Sequence, residues 1–98
     1  MAGITKIKEI LDHPDEYKDK EVILDVEHLG WGASDCNLQK TSMRTRSDVL
    51  LKDETGCIFS DPVPGISPYE KKKVRIKGIV ELYAGKPRLK EISLAENQ

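Results

Sequence analysis

Hydrophobic positions change their spacing along the chain, and the change marks the elements. Ile4, Ile7, Ile10 and Leu11 fall three or four residues apart, which predicts one stripe of a short helix. Thr5 or Gly3 is placed to open it. Pro14 ends it by excluding helical geometry at His13. Residues 13–19 then read as a connector, with Tyr17 packing the helix end onto the sheet. From residue 20 the period falls to two. Val22, Leu24 and Val26 alternate with Ile23, Asp25 and Glu27, as in a strand with one buried face. The run 20–31 exceeds the usual ~5–6 residues, so a strand bent across the sheet is expected. Gly30 and Gly32 flank Trp31 and loosen its end.

Residues 33–46 have no period and read as a long loop, with Lys40, Arg44 and Arg46 near its exit. Structureless loops of this length tend to be functional or mobile. Residues 47–61 read as a hairpin. Val49 and Leu51 alternate with Leu50 and Lys52, 53–56 supply the turn, and Cys57, Ile58 and Phe59 return. Gly56 offers the turn a positive φ. Three prolines in 62–70 remove amide donors and bar a central strand there. At most one helical turn is expected, beginning at Pro68.

Residues 72–83 form the clearest strand. Val74, Ile76, Gly78, Val80 and Leu82 share one face; Arg75, Lys77, Ile79, Glu81 and Tyr83 share the other. The interior glycine marks a bend, a bulge or a close backbone crossing. A turn over 84–87 leads to a last strand over 88–95. There Leu89 is out of phase with Ile92 and Leu94, and a bulge near Lys90 reconciles them. No internal repeat is present.

One helix within 1–13 and five strands within 20–95 predict an all-β domain spanning 1–98. A small closed barrel is preferred over an open sheet, because closure removes exposed edges. The length, 98 residues, fits one domain.

Composition narrows the class. The chain is 38% hydrophobic and 34% charged, and no apolar run approaches the ~20 residues that cross a bilayer. The first residues carry no apolar signal region, so a cytoplasmic location is expected, with Cys36 and Cys57 reduced and free rather than joined in the one bridge they could form. The net charge of −1 conceals a split. Residues 1–39 hold four Lys against nine Asp or Glu, a net of −5. Residues 40–98 hold twelve Lys or Arg against eight Asp or Glu, a net of +4. Eight basic residues and one acid fall within 71–90. Such a cluster is either a local field for an anion or a solvated strand face.

Chemistry is sparse. No phosphate loop, HExxH or nucleophile motif occurs, and Asp35-Cys36 has no partner in the sequence. Zinc needs about four close ligands, and His13, His28, Cys36 and Cys57 form no such pattern. No enzyme activity, metal or cofactor is expected.

The residues resemble a known family. Pro14, Tyr17, Lys20 and Val22 are similar to the helix-to-strand start of many OB-fold domains. Leu51-x-Asp53-x-Thr55-Gly56-x-Ile58 resembles their second hairpin, and Val74-x-Ile76-x-Gly78-x-Val80 their fourth strand. Nearly the whole chain is covered. The likeness is to the single-stranded nucleic-acid OB domains of the tRNA-anticodon-binding and replication-protein-A type. One departure is the reduction of the helix between strands three and four to 62–70, with a helix at the N-terminal end instead.

The resemblance implies a five-stranded Greek-key barrel that binds single-stranded DNA or RNA with little sequence preference. It implies a site framed by the loops 32–46 and 84–87 over the second and third strands. Lys40, Arg44, Arg46, Lys86 and Arg88 would then hold phosphates, with Trp31, Phe59 and Tyr83 as stacking surfaces. Other readings stay open. Trp31 serves equally as a barrel-end cap, and Phe59 is more often core than platform. Asp48, Asp53, Glu54 and Asp61 flank the expected face and oppose phosphate. The alternative is a protein-interaction module.

Overall fold

The computed structural model describes residues 3–31, 36 and 38–95. The expected Gly32 and Asp35 features lie outside the described residues. The elements in order are α1 (Ile7–Asp12), α2 (Pro14–Tyr17), β1 (Glu21–Gly30), a 3-10 turn (Leu38–Lys40), β2 (Val49–Asp53), β3 (Gly56–Ser60), β4 (Lys72–Tyr83) and β5 (Lys86–Leu94). The strands close into a barrel in the order β1-β2-β3-β5-β4. All neighbours are antiparallel except β3 and β5. The arrangement is compatible with an OB-fold.

Alternation places Val22, Leu24, Val26, Val49, Leu51, Ile58, Ile76, Val80 and Leu89 in one core. Leu24, Leu51, Ile58, Ile76, Val80 and Leu89 are completely buried. Each such side chain contributes about 1.5–3 kcal/mol relative to exposure. The long β1 serves two neighbours. Residues 21–28 pair with β4, and 27–30 pair with β2 through a register irregularity after His28.

The N-terminal helix caps one end of this barrel. Ile7 and Ile10 are completely buried in the core. Leu11 and Ile7 also lie against Gly56, where an added Cβ would sit 3.5 and 3.6 Å from their methyl groups. Asp53 joins helix and hairpin. Its carboxylate accepts the backbone N–H groups of Ile7 (2.9 Å), Thr55 (2.7 Å) and Gly56 (3.1 Å). Thr55 Oγ1 in turn accepts the Lys8 N–H at 3.0 Å. The helix starts after Lys6 rather than at Thr5 or Gly3. Thr5 N–H instead donates to Ile23 O of β1 at 2.8 Å.

One local expectation is corrected. The stretch after His13 is not an open connector, because Pro14, suited to a first helical position, starts a second turn of helix. Tyr17, at its end, packs against the core. Around Pro68 the chain makes turns and no helix, within the limit of one helical turn expected there.

The bulge expected in the last strand is present. Lys77 pairs with Ser93 but Ile79 pairs with Lys90, so β5 holds one extra residue there. Glu91, at φ 53°, takes up the bend. Leu89 and Ile92 thereby both reach the core despite their spacing.

The β3–β5 seam is thin. Ser60 opposite Leu89 is its sole strand pair, supported by Asp61 N–H to Leu89 O at 3.0 Å. Beside it, Thr41 closes the gap. Its hydroxyl accepts Phe59 N–H at 3.2 Å and donates to Pro87 O at 2.7 Å. The long loop therefore returns across the barrel wall rather than hanging free.

Candidate nucleic-acid interface

The loop also crosses β3 earlier, where Cys36 is disulfide-bonded to Cys57 with Cα atoms 5.9 Å apart. That separation lies within the usual disulfide range. The expectation of two free thiols is therefore corrected.

Part of the basic cluster of 71–90 is engaged by the acidic half of the chain. β1 and β4 lie side by side, and their outer faces pair opposite signs. Asp25 opposes Arg75 and Glu27 opposes Lys73. Arg75 holds Asp25 with two hydrogen bonds, at 2.5 and 3.0 Å. Lys77 lies 4.0 Å from Glu21, and Lys72 3.9 Å from Glu70. The hydrogen bond from Arg75 keeps the Asp25 carboxyl below its ordinary range. Part of the charge split in the sequence is thus a cross-strand ladder.

Arg88 is the clearest correction among the expected phosphate contacts. Its side chain is completely buried. The guanidinium meets Asp48 at 2.9 Å, Asp61 at 2.6 Å, and Glu81. Burial works against charge on Asp61, but the Arg88 hydrogen bond and charge outweigh it and hold that carboxyl below its ordinary range. Burial likewise opposes the Arg88 charge, and its bonds to Asp61 and Asp48 reverse the balance and raise its pKa. Completely buried, and with four hydrogen bonds already made to three carboxylates, this guanidinium is closed to phosphate.

Arg44 joins the margin of this network, 3.4 Å from Asp61 and 3.9 Å from Glu81. Its backbone N–H donates to Asp48 at 2.8 Å. Lys40 is 3.3 Å from Asp12, near α1. Arg46 and Lys86 are exposed and enter no ion pair among the described residues. The acids expected to repel phosphate are also engaged: Asp48 and Asp61 with Arg88, Asp53 with the hairpin turn, and Glu54 with Lys6.

The aromatic residues separate. Tyr83 ends β4 and is exposed, and Phe59 is half-buried. Trp31 is 48% exposed. Its Nε1–H donates to Ser47 O at 3.3 Å, and its ring stands edge-to-face on Tyr69 with centroids 5.2 Å apart. Tyr69 is 80% exposed. Sequence pattern does not single out Tyr69, because it lies in the Pro-rich connection, outside the two framing loops. The Trp31 backbone N–H donates to Pro68 O at 2.9 Å and fixes that neighbourhood. Gly30 makes the approach possible. At φ 65°, an added Cβ there would lie 1.9 Å from Pro68 O.

His28 is completely buried and pairs Nδ1 with Glu70 O at 2.7 Å. Among the described residues no group of His, Cys, Asp and Glu is arranged to hold a metal. No described helix is long and apolar enough to cross a membrane. An open groove of about 880 Å³ lies elsewhere, lined by apolar Val26, Ile66, Val74 and Leu94 and by four basic and four acidic side chains. Compared with family models, curated proteins and solved structures, the chain matches none.

Proposed function

We propose that this barrel binds single-stranded nucleic acid, weakly and with little sequence preference, through an aromatic platform made by Trp31 and Tyr69. The observation that carries the reading is the exposed edge-to-face pair, 48% and 80% accessible, in a chain with only five aromatic residues. Most globular domains bury such rings. Here two are held together at the surface by the Ser47 and Pro68 carbonyls. Bases stack on such faces without regard to sequence. Arg46, next to Ser47, and Lys71, two residues beyond Tyr69, supply cations for the phosphates. The platform differs from the Trp31–Tyr83 pairing expected from the resemblance, because Trp31 turns toward the 62–70 connection.

The test uses Trp31 as its own reporter, since it is the single tryptophan. Titration with oligo-dT and oligo-U should quench its fluorescence, with affinity falling steeply as salt rises. Tyr69→Ala should weaken binding by about 5–100-fold, the loss of one stacking partner. Absence of quenching, or a flat salt response, would overturn the reading.

A second reading, a protein-interaction module, is favoured by the β1–β4 charge ladder, which cancels much of the basic strand's field. Binding to a protein partner that survives nuclease treatment and leaves the Trp31 signal unchanged would select it.

A further inference from the structure

The outer face of β2 and β3 is partly covered, with Leu50 and Cys57 buried and Lys52 and Phe59 half-buried. Along β2, Val49 and Leu51 point into the core, so Leu50 points outward, yet Leu50 is only 4% exposed. Along β3, Ile58 points inward, so Cys57 points outward, yet it is only 1% exposed. An outward apolar residue on an uncovered strand would face water. Cys36 and Thr41 supply anchors on this side of the barrel. Cys36 is bonded to Cys57, and Thr41 sits between Phe59 N–H and Pro87 O.

We propose that the Cys36–Cys57 disulfide is a redox latch, whose reduction frees the 38–43 strap and opens the β2–β3 face to ligand. The ligand part rests on the nucleic-acid reading above. Residues 44–48 stay tied to the barrel by the sealed Asp48–Arg88 pair, whereas the anchors of 38–43 include the Thr41 hydroxyl and the surface pair of Lys40 with Asp12. Exposed pairs of that kind hold a segment weakly. Opening would add Phe59 and Leu50 to the Trp31–Tyr69 platform, on the side where the long loop leaves β1.

The reductant is a dithiol. Its thiolate attacks Sγ of Cys36, the half-buried partner. A mixed disulfide forms, the Cys36–Cys57 bond breaks, and Cys57 leaves as a thiolate that takes up a proton. The second thiol of the reductant then attacks the mixed disulfide and releases Cys36 as a thiol. Two electrons pass to the protein, and the dithiol ends as its own disulfide.

Amide hydrogen exchange on the full chain, with and without dithiothreitol, reads the latch directly. Phe59 N–H is bonded to the strap, whereas the Leu24–Ile76 pair lies in the β1–β4 ladder. Reduction should speed Phe59 exchange about tenfold or more while Leu24 and Ile76 hold, the sign of local opening. Cys36→Ser should reproduce the reduced pattern without reductant. If that variant fails to fold, the reduced native chain carries the test. Unchanged Phe59 exchange, or an equal rise at Leu24 and Ile76, overturns the latch. Oligo-dT should bind about tenfold tighter to the reduced chain. Equal binding in both states overturns the gating and leaves the nucleic-acid reading standing. No binding in either state, with faster Phe59 exchange, upholds the latch and overturns the nucleic-acid reading.

Discussion

Arg88 Nη2 lies 2.9 Å from Asp48 Oδ2, and both side chains are wholly sealed from solvent. The pair links the start of β5 to the residue just before β2. Removing the cation leaves a buried carboxylate with no compensating charge, and such losses reach about 3–5 kcal/mol. Arg88→Ala should lower the urea midpoint accordingly. Arg88→Lys should fall between the two, because one ammonium cannot serve three carboxylates in a planar fork. A neutral effect on stability would show that the network is solvated.

Acid should loosen the same network. Asp61 has a folded pKa below its unfolded value, set by Arg88 against the opposing effect of burial. The folded chain therefore binds this proton less readily than the unfolded chain. Its contribution is complete above the ordinary carboxylate range near pH ~4 and is lost as pH falls through the lower folded value. Asp25 and Asp12 shift in the same direction, through Arg75 and through Lys8, but they are exposed and weigh less. Urea midpoints measured from pH 7 to pH 3 should decline at the acid end, and Asp61→Asn should flatten that decline.

Gly30→Ala should be severe. Its backbone is left-handed, and the new methyl would occupy the Pro68 carbonyl oxygen. We expect a loss of about 2–4 kcal/mol and a red-shifted Trp31 emission as the Tyr69 contact parts. A variant with native stability and emission would contradict this account of the approach.

Asp53→Ala removes the acceptor shared by the hairpin turn and the first N–H of α1. Several N–H groups then lose a charged partner, at a cost of about 1–3 kcal/mol. Exchange should rise first at the Ile7 and Gly56 amides. Asp53→Asn, which keeps one acceptor oxygen, should recover part of the loss.

Much of the barrel is legible in the sequence because its signals are local. Val74 to Leu82 alternate cleanly, and the mismatch of Leu89 with Ile92 requires an extra residue that Glu91 supplies. The hairpin turn is visible in Asp53, Thr55 and Gly56, although Gly56 does not take the positive φ expected of it. The site is less legible because it depends on contacts between distant segments. Nothing near Arg88 in the sequence announces Asp48 or Asp61, which lie 40 and 27 residues away. A terminal-strand arginine beside a turn looks the same whether it faces a phosphate or three carboxylates. Tyr69 meets Trp31 only because Gly30 lets Pro68 approach. The cysteine pairing is hidden for the same reason, since loop 33–46 carries no pattern that says where it crosses the wall.

The interior glycine of β4 has a consequence for how this wall selects its alignment. Asp25 faces Arg75 now, but a slide of β4 by two residues in either direction would present Lys73 or Lys77 instead. Attraction at Asp25 survives either slide, so that pair alone cannot choose among them. Gly78 can. The Ile92 side chain occupies the space where a Cβ at this position would stand, 2.5 Å from Ile92 Cδ1. A two-residue slide would drive Ile76 or Val80 into that volume, so one missing methyl group discriminates between alignments that the Asp25 pairing treats as equal.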